Sequence, residues 1–120
     1  MAIILAVDDS ATMRQMVNFT LSSVGHEVIE ATNFDDALKL ASSRKFDLVI
    51  SDINMPGKNG IELVRALRAL PAFKLTPILL LTTESESEIK QAGRDAGATG
   101  WIVKPFNPET LLSVLQKVLV

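Results

Sequence analysis

The sequence contains no cysteine, one histidine and no apolar run long enough to cross a bilayer. Without cysteine the fold cannot depend on disulfide bonds, and it is compatible with a reducing compartment. A membrane-spanning helix needs about 20 consecutive apolar residues. The first residues carry no basic region and reach Asp8 directly, which argues against a secretory signal. We therefore expect a soluble cytoplasmic protein without a membrane anchor.

The chain also lacks an excess of charge of either sign. Its 12 basic and 14 acidic side chains give a net charge of −2, and the Lys and Arg residues form no cluster. Proteins that bind nucleic acid usually present a basic patch to the phosphates. The sequence also has no glycine loop of the kind that binds nucleotides. We therefore expect no nucleic-acid partner, no ATP site and a monomeric state.

Short apolar runs alternate with longer segments of helical period along the chain. This alternation predicts repeated βα units around a parallel sheet. The strand segments are nearly uninterrupted Val, Ile and Leu, as expected when helices cover both faces of the sheet. With 120 residues and no repeat or linker, residues 1–120 are predicted to form one doubly wound α/β domain with no output domain.

Several helix boundaries carry local signals. Ser10 and Asn33 are suitable N-caps for the first two helices, and Asn107 followed by Pro108 is a typical start for the last. Gly25 is predicted to stop the first helix, and Pro71 the third. The fourth helix, predicted at residues 84–95, has a narrow apolar stripe and contains Gly93, which lowers helix propensity by about 1 kcal/mol relative to Ala. Local sequence specifies this helix least, and it is a candidate for an element that moves.

Polar side chains follow four of the apolar runs at their downstream ends. Because the carboxyl ends of parallel strands lie along one edge of a sheet, residues far apart in sequence should converge there. Such a crevice could hold a divalent metal and a phosphoryl group. The residues are Asp8 and Asp9 after residues 3–7, Asp52 after 48–51, Thr82 after 78–81 and Lys104 after 101–103.

The three carboxylates predict a metal site. Asp8, Asp9 and Asp52 would repel one another unless a cation neutralised them, and their hard oxygens suit Mg²⁺. Taken singly, an Asp before a helix is more often a helix cap, whereas for Thr82 a capping role and a functional role are about equally favoured. A lysine at a strand end is usually solvated. Lys104 precedes Pro105, where a cis peptide costs only about 0.5–1 kcal/mol.

Four sequence motifs contain the polar residues at the strand ends. They are, in chain order, Val7-Asp8-Asp9-Ser10, the segment from Asp52 to Gly60 (DINMPGKNG), Leu81-Thr82-Thr83-Glu84, and Trp101-Ile102-Val103-Lys104-Pro105-Phe106. In these motifs and their order the chain resembles the receiver domains of response regulators, most closely the single-domain chemotaxis regulators of the CheY type. The resemblance covers essentially the whole chain, and it implies a flavodoxin-like (CheY-like) fold of five parallel strands in the order 2-1-3-4-5 with five helices.

The resemblance assigns roles to these residues. It implies that Asp52 is phosphorylated by a sensor histidine kinase. Asp9, Asp52 and the main-chain carbonyl of Asn54 would hold Mg²⁺, with Asp8 assisting through water. Thr82 and Lys104 would bind the phosphoryl oxygens.

The resemblance also implies a conformational switch and residues that control the lifetime of the phosphorylated state. Thr82 and Trp101 would couple the phosphoryl group to the face formed by helix 4, strand 5 and helix 5. Asn54 and Glu84 would modulate the water that hydrolyses the acyl phosphate. Trp101 stands where the family usually has Tyr or Phe, and Thr83 where a small residue such as Ala is usual.

The sequence therefore predicts a phosphorylation-controlled binding module that is not a turnover enzyme. Its expected partners are a chemotaxis-type histidine kinase, a target such as the flagellar motor switch and a phosphatase. The alternative is a stand-alone phosphorelay intermediate or phosphate sink. A haloacid-dehalogenase-type phosphatase is disfavoured because such enzymes carry an Asp-x-Asp motif after the first strand, whereas here Asp52-Ile53-Asn54 follows the third predicted strand. A flavodoxin-like redox carrier is disfavoured because Asp8 and Asp9 would repel a flavin phosphate.

Overall fold

The computed structural model describes residues 1–83 and 87–119, which form five strands and five helices. A short 3₁₀ turn, Pro71–Phe73, follows the third helix. The strands are β1 (Ile3–Val7), β2 (Glu27–Ala31), β3 (Leu48–Asp52), β4 (Ile78–Thr82) and β5 (Gly100–Val103). The helices are α1 (Ala11–Ser22), α2 (Phe34–Ser43), α3 (Gly60–Arg68), α4 (Ser87–Ala96) and α5 (Pro108–Val118).

The strands form one parallel sheet in the order β2-β1-β3-β4-β5. The predicted α/β class and strand order are confirmed. Each strand sends alternate side chains to the two faces of the sheet. On β1, for example, Leu5 and Val7 contact the core beneath α2, α3 and α4, while Ile4 and Ala6 contact the core beneath α1 and α5. All residues of β3 and β4 are buried, as expected for central strands covered on both faces.

The strand register brings the carboxyl ends of β1, β3, β4 and β5 to one edge. Val7 of β1 pairs with Ser51, Asp52 pairs with Leu81, and Thr82 pairs with Val103. The residues that follow these strands therefore begin at nearly the same level. This is the edge where the sequence places the polar residues.

Side-chain caps start four of the helices. Ser10, Asn33 and Asn107 each accept a hydrogen bond from the main chain of the first helical turn, as predicted. Asn59 starts α3 and forms a capping box with Glu62, which the sequence analysis did not identify.

Three predicted boundaries differ from the structure or cannot be compared with it. α1 ends at Ser22, and Gly25 adopts its positive φ of 93° in the turn that follows. α3 ends at Arg68, three residues before Pro71. Pro71 is the first residue of the 3₁₀ turn and does not itself end the helix. α4 runs from Ser87 to Ala96, and the predicted start at residue 84 lies outside the described residues.

Arg68 holds the carboxyl-terminal end of α4 against the rest of the domain. Its guanidinium donates hydrogen bonds to the main-chain oxygens of Gly97 at 3.0 Å, Phe73 at 2.6 Å and Thr76 at 2.7 Å. Burial lowers the pKa of Arg68 from its usual value. A cation here also interacts favourably with the carbonyl ends of α3 and α4. The helix with the weakest local signals is thus anchored by a tertiary contact.

A search for membrane-spanning segments gives a negative result for the described part of the chain: none of its helices combines the length and apolar character needed to cross a bilayer.

Candidate functional site

The structure brings together the three aspartates that follow β1 and end β3. Carboxylate oxygens of Asp8, Asp9 and Asp52 lie within 4.8 Å of one another. Asp8 and Asp52 are buried, whereas Asp9 is exposed. The site therefore has two shielded carboxylates at its base and one at its mouth, which leaves access from solvent.

Asp8 is held by backbone contacts that leave one of its oxygens unsatisfied. Its Oδ1 accepts a hydrogen bond from the Ser10 amide at 2.9 Å. Its Oδ2 is buried and accepts no hydrogen bond within the described part of the chain. Burial raises the pKa of Asp8, and the nearby Asp52 carboxylate raises it further, against the Ser10 hydrogen bond and Lys104, which lower it. Asp8 thus carries a charge that the protein alone compensates poorly.

Lys104 points into this cluster from the end of β5. Its Nζ lies 3.1 Å from Oδ1 of Asp52 and 3.7 Å from Oδ2 of Asp8. Its side chain is only 15% exposed, so this is not a freely solvated lysine. The Lys104–Pro105 peptide bond is cis, the isomer that the sequence analysis identified as accessible at low cost.

Asn54 and Thr82 complete the predicted set on the same edge. The Asn54 amide donates to Oδ1 of Asp52 at 3.4 Å, and its side chain is exposed. Thr82, at the end of β4, is 1% exposed, and its main-chain oxygen accepts a hydrogen bond from the Lys104 amide at 2.7 Å. The predicted modulating residue Glu84 lies outside the described residues.

Trp101, on β5, stands beside α4. Two cations of α4 stand over its ring, with Lys90 Nζ at 5.5 Å and Arg94 Cζ at 5.4 Å from the ring centroid. Trp101 and Thr82 both line a narrow space next to Gly93 that is too small to hold a water molecule. The aromatic ring therefore contacts a helix of the predicted output face and lines the same space as the predicted phosphate-binding threonine.

Gly60 is a site residue whose role the sequence interpretation missed. A Cβ at this position would overlap the main-chain oxygen of Asp52, and the Gly60 amide donates to the Ile53 oxygen at 3.0 Å. Only glycine lets the start of α3 approach the end of β3 this closely. The Asn-Gly pair before an apolar helical stripe was visible in the sequence, but the close approach depends on tertiary structure.

The carboxylate cluster fits a hard divalent cation. Three carboxylates lie within reach of one ion, and among the residues that the structure describes none donates a hydrogen bond to the buried Oδ2 of Asp8. Mg²⁺ prefers oxygen ligands and usually keeps several waters, which the exposed mouth at Asp9 allows. The site therefore has the donor atoms, charge and access that Mg²⁺ requires.

Replacing Asp8 with asparagine is expected to stabilise the metal-free protein by about 1 kcal/mol, because burial and repulsion from Asp52 outweigh the Ser10 hydrogen bond and the Lys104 ion pair that favour the Asp8 charge. The raised pKa of Asp8 determines the direction in which stability changes with pH. The folded state binds the Asp8 proton more tightly than the unfolded state does, so stability falls as pH rises from the ordinary Asp pKa of 3.8 through the raised pKa of Asp8. Urea unfolding at pH 7 in EDTA measures the gain.

The exposed substitution Asp36→Asn is the matched control and should leave stability nearly unchanged. In saturating Mg²⁺ the advantage of Asp8→Asn should shrink or reverse, because the wild type gains the free energy of metal binding. Equal destabilisation of Asp8→Asn with and without Mg²⁺ would contradict the electrostatic account.

Comparisons with known proteins agree with this fold. The model of the response regulator receiver domain matches residues 4–116. The chain is 42% identical to chemotaxis protein CheY1 of Helicobacter pylori strain J99 over 118 residues, which cover 97% of this chain and 95% of CheY1. It is 40% identical to the phosphate regulon transcriptional regulatory protein PhoB of Pseudomonas aeruginosa over 116 residues, 97% of this chain, but spans only about half (51%) of PhoB.

Among solved structures, chemotaxis response regulator CheY4 of Vibrio cholerae superposes with a TM-score of 0.96 and 55% sequence identity, covering 99% of both chains. The receiver-domain match over residues 4–116, on a parallel sheet in this order with acidic residues at its carboxyl edge, identifies a signalling domain of the two-component type. The chain belongs to the response regulator receiver domain family. Within that family it resembles the CheY chemotaxis regulators.

Proposed function

We propose that this chain is a single-domain response regulator that accepts a phosphoryl group on Asp52 from a histidine kinase. The observation that carries the proposal is the environment of Asp52. Its Oδ1 lies 3.1 Å from the Lys104 ammonium, and its carboxylate lies beside Asp8 and Asp9 at the open edge of the sheet. A nucleophile, a cation for the phosphoryl group and a metal-ligand set therefore meet at one point.

The chemistry is a displacement at phosphorus. An oxygen of Asp52 attacks, the bond from phosphorus to the donor's nitrogen or oxygen breaks, and the leaving group departs with that electron pair. A carboxylate is a weak nucleophile, so positioning and charge stabilisation must supply the rate. Mg²⁺, when held by Asp9, Asp52 and the Asn54 carbonyl, supplies charge neutralisation there. Lys104 and the Thr82 hydroxyl bind the phosphoryl oxygens.

The resulting acyl phosphate is hydrolysed by water, which restores the Asp52 carboxylate and releases inorganic phosphate. Asn54 is exposed and its amide contacts Asp52, so we assign its side chain, together with Glu84, to modulating this step. The domain thus promotes its own phosphorylation and dephosphorylation, but its product is a temporary signal. We therefore assign it no turnover of an external substrate.

Thr82 and Trp101 couple phosphorylation of Asp52 to the conformation of the partner-binding face. When Thr82 turns toward a bound phosphoryl group, it changes the space it shares with Trp101. Movement of the indole in turn changes its contacts with Lys90 and Arg94 on α4. The face formed by α4, β5 and α5 is therefore the surface that a partner recognises, with the two conformations rebalanced by phosphorylation.

The relatives named for chemotaxis, CheY1 and CheY4, favour a role in motility. On this proposal the donor is a chemotaxis-type kinase, the target is a component such as the flagellar motor switch, and a phosphatase shortens the signal. The alternative is a phosphorelay intermediate or phosphate sink. PhoB, of which this chain matches about half, illustrates that the domain also occurs in longer regulators.

Incubation with acetyl phosphate and Mg²⁺, followed by intact mass spectrometry, tests the proposed chemistry. We expect one added phosphoryl group, none in EDTA, and its location at Asp52 when the acyl phosphate is reduced with borohydride to homoserine before peptide mapping. No mass gain with Mg²⁺, or a gain on a serine or threonine, would refute the proposal. Binding of the phosphorylated protein to motor-switch components distinguishes motility from a relay.

Lys104→Met should slow phosphorylation from acetyl phosphate by about 10²-fold, the usual cost of losing one preorganised charge contact to the reacting group. The matched control is Lys58→Met. Lys58 is also a cation beside the site, but its ammonium stands over the Phe34 ring at 4.7 Å. Stopped-flow fluorescence of Trp101 or timed intact mass gives the rates. Equal effects of the two substitutions would contradict a specific role for Lys104.

A further inference from the structure

A hydrogen-bond chain from α1 to β2 contacts the backbone of the metal-site loop. Arg14, on α1, donates from Nη1 to the main-chain oxygen of Asp8 at 2.7 Å and from Nε to the Glu30 carboxylate at 3.1 Å. Asn18, farther along α1, donates to the other Glu30 oxygen at 2.8 Å. The Arg14 side chain is only 17% exposed, so these contacts are partly shielded from water.

The contact with Asp8 fixes the peptide unit between the two adjacent aspartates. The main-chain oxygen of Asp8 lies in the same rigid plane as the Asp9 nitrogen, so holding one fixes the other. The Asp8 amide donates to the Ala31 oxygen at 3.1 Å, which fixes the preceding side of the residue. The Asp9 side chain is exposed, so its direction depends on this backbone more than on packing.

We propose that Arg14 is a positioning residue for the Mg²⁺ site, directing the Asp9 carboxylate toward Asp52 by holding the Asp8 carbonyl. The inference rests on the proposed function, because it takes Asp9 and Asp52 as ligands of one cation. Arg14 bonds to the main chain and not to a site carboxylate, so the carboxylates stay available to the metal. Its charge is balanced by Glu30, which reduces the repulsion it exerts on a cation.

The loss of the Arg14 charge and the loss of its contact with the Asp8 carbonyl should change Mg²⁺ affinity in opposite directions. Removing a positive charge near a cation site should tighten Mg²⁺ binding, whereas losing the carbonyl contact should weaken it. Partners that orient metal ligands typically change affinity by about 10–100-fold when mutated. Since Arg14 acts through one main-chain contact, we expect Arg14→Gln to raise the Mg²⁺ Kd by about tenfold, the lower end of that range.

Isothermal titration calorimetry with Mg²⁺ alone compares the wild type with Arg14→Gln, Arg14→Lys and a control. Arg14→Lys keeps the charge, but one ammonium cannot replace the guanidinium fork that spans Asp8 and Glu30, so it should also weaken binding. The control, Arg44→Gln, removes a similar ion pair with β2, in which Arg44 lies 3.4 Å from Glu27 at the opposite end of the strand. It should keep wild-type affinity, and melting temperatures of all variants verify folding.

Amide hydrogen exchange in EDTA gives a second readout that needs no metal. The Ser10 amide, which donates to Asp8, should exchange faster in Arg14→Gln and at the wild-type rate in Arg44→Gln. Unchanged or tighter Mg²⁺ binding by Arg14→Gln, or unchanged Ser10 exchange, would overturn the assignment of Arg14. Failure of the wild type to bind Mg²⁺ would instead overturn the proposed function, while the exchange data still decide whether Arg14 holds the loop.

Discussion

Asp52→Asn is expected to abolish phosphorylation by acetyl phosphate while leaving the protein folded. An amide has no anionic oxygen to attack phosphorus, and the remaining aspartates lack the same access to Lys104. The Lys104 ammonium lies closer to Asp52 than to Asp8, at 3.1 Å against 3.7 Å. Asparagine has nearly the volume of aspartate and removes one charge from a mutually repelling set, so the fold should not suffer. Intact mass after exposure to acetyl phosphate and Mg²⁺ measures the loss.

Asp36→Asn provides the control, because Asp36 lies exposed in the first turn of α2 and is not part of the carboxylate cluster of Asp8, Asp9 and Asp52. This variant should be phosphorylated like the wild type. Persistent labelling of Asp52→Asn at the wild-type rate would mean that another residue accepts the phosphoryl group. It would also contradict the proposed role of Lys104, which is to bind a phosphoryl group on Asp52.

Gly60→Ala is expected to damage both stability and phosphorylation. The added methyl group would overlap the Asp52 carbonyl, and its other close neighbours are also main-chain atoms, which cannot rotate aside as a flexible side chain could. Overpacking of this kind typically costs about 1–3 kcal/mol. The structure relieves the overlap only by moving the start of α3 or the end of β3, and a shift of about 1 Å at a reacting group can cost roughly 10²-fold in rate. Urea unfolding and timed intact mass measure the two effects.

Gly100→Ala is the matched glycine control. Its Cβ would stand at an ordinary contact distance of 3.5 Å from a methyl carbon of Leu79, on the neighbouring strand β4 of the same sheet. Alanine in a strand is favoured over glycine by roughly 0.5–1 kcal/mol, so this variant should be neutral or slightly stabilised. If Gly60→Ala behaves like Gly100→Ala, the close approach of α3 to Asp52 has no functional importance.

The sequence predicts the fold because its local signals agree with one another. The apolar runs of β3 and β4 are buried on both faces, and the caps at Ser10, Asn33 and Asn107 begin helices where expected. Placement of Asp52 at the end of a central strand then fixes the position of the site. Each of these features is local, or follows from strand order.

Features that depend on three-dimensional contacts were not predicted. Arg68 and Arg14 have no distinctive sequence context, because they bond to main-chain oxygens that long-range folding supplies. The carbonyl that excludes a side chain at Gly60 belongs to another element. The predicted end of α1 at Gly25 was late, since the turn before β2 needs residues of its own.

Anomalous diffraction from crystals grown with Mn²⁺, an octahedral oxygen-seeking substitute for Mg²⁺, tests the central claim most directly. A cation shared by Asp9 and Asp52 predicts one anomalous peak within coordination distance of both carboxylates. The same peak should be absent from crystals of Asp9→Asn grown identically. A saturating Mn²⁺ concentration that leaves the space between Asp9 and Asp52 without a peak, or places the ion elsewhere, would contradict the account.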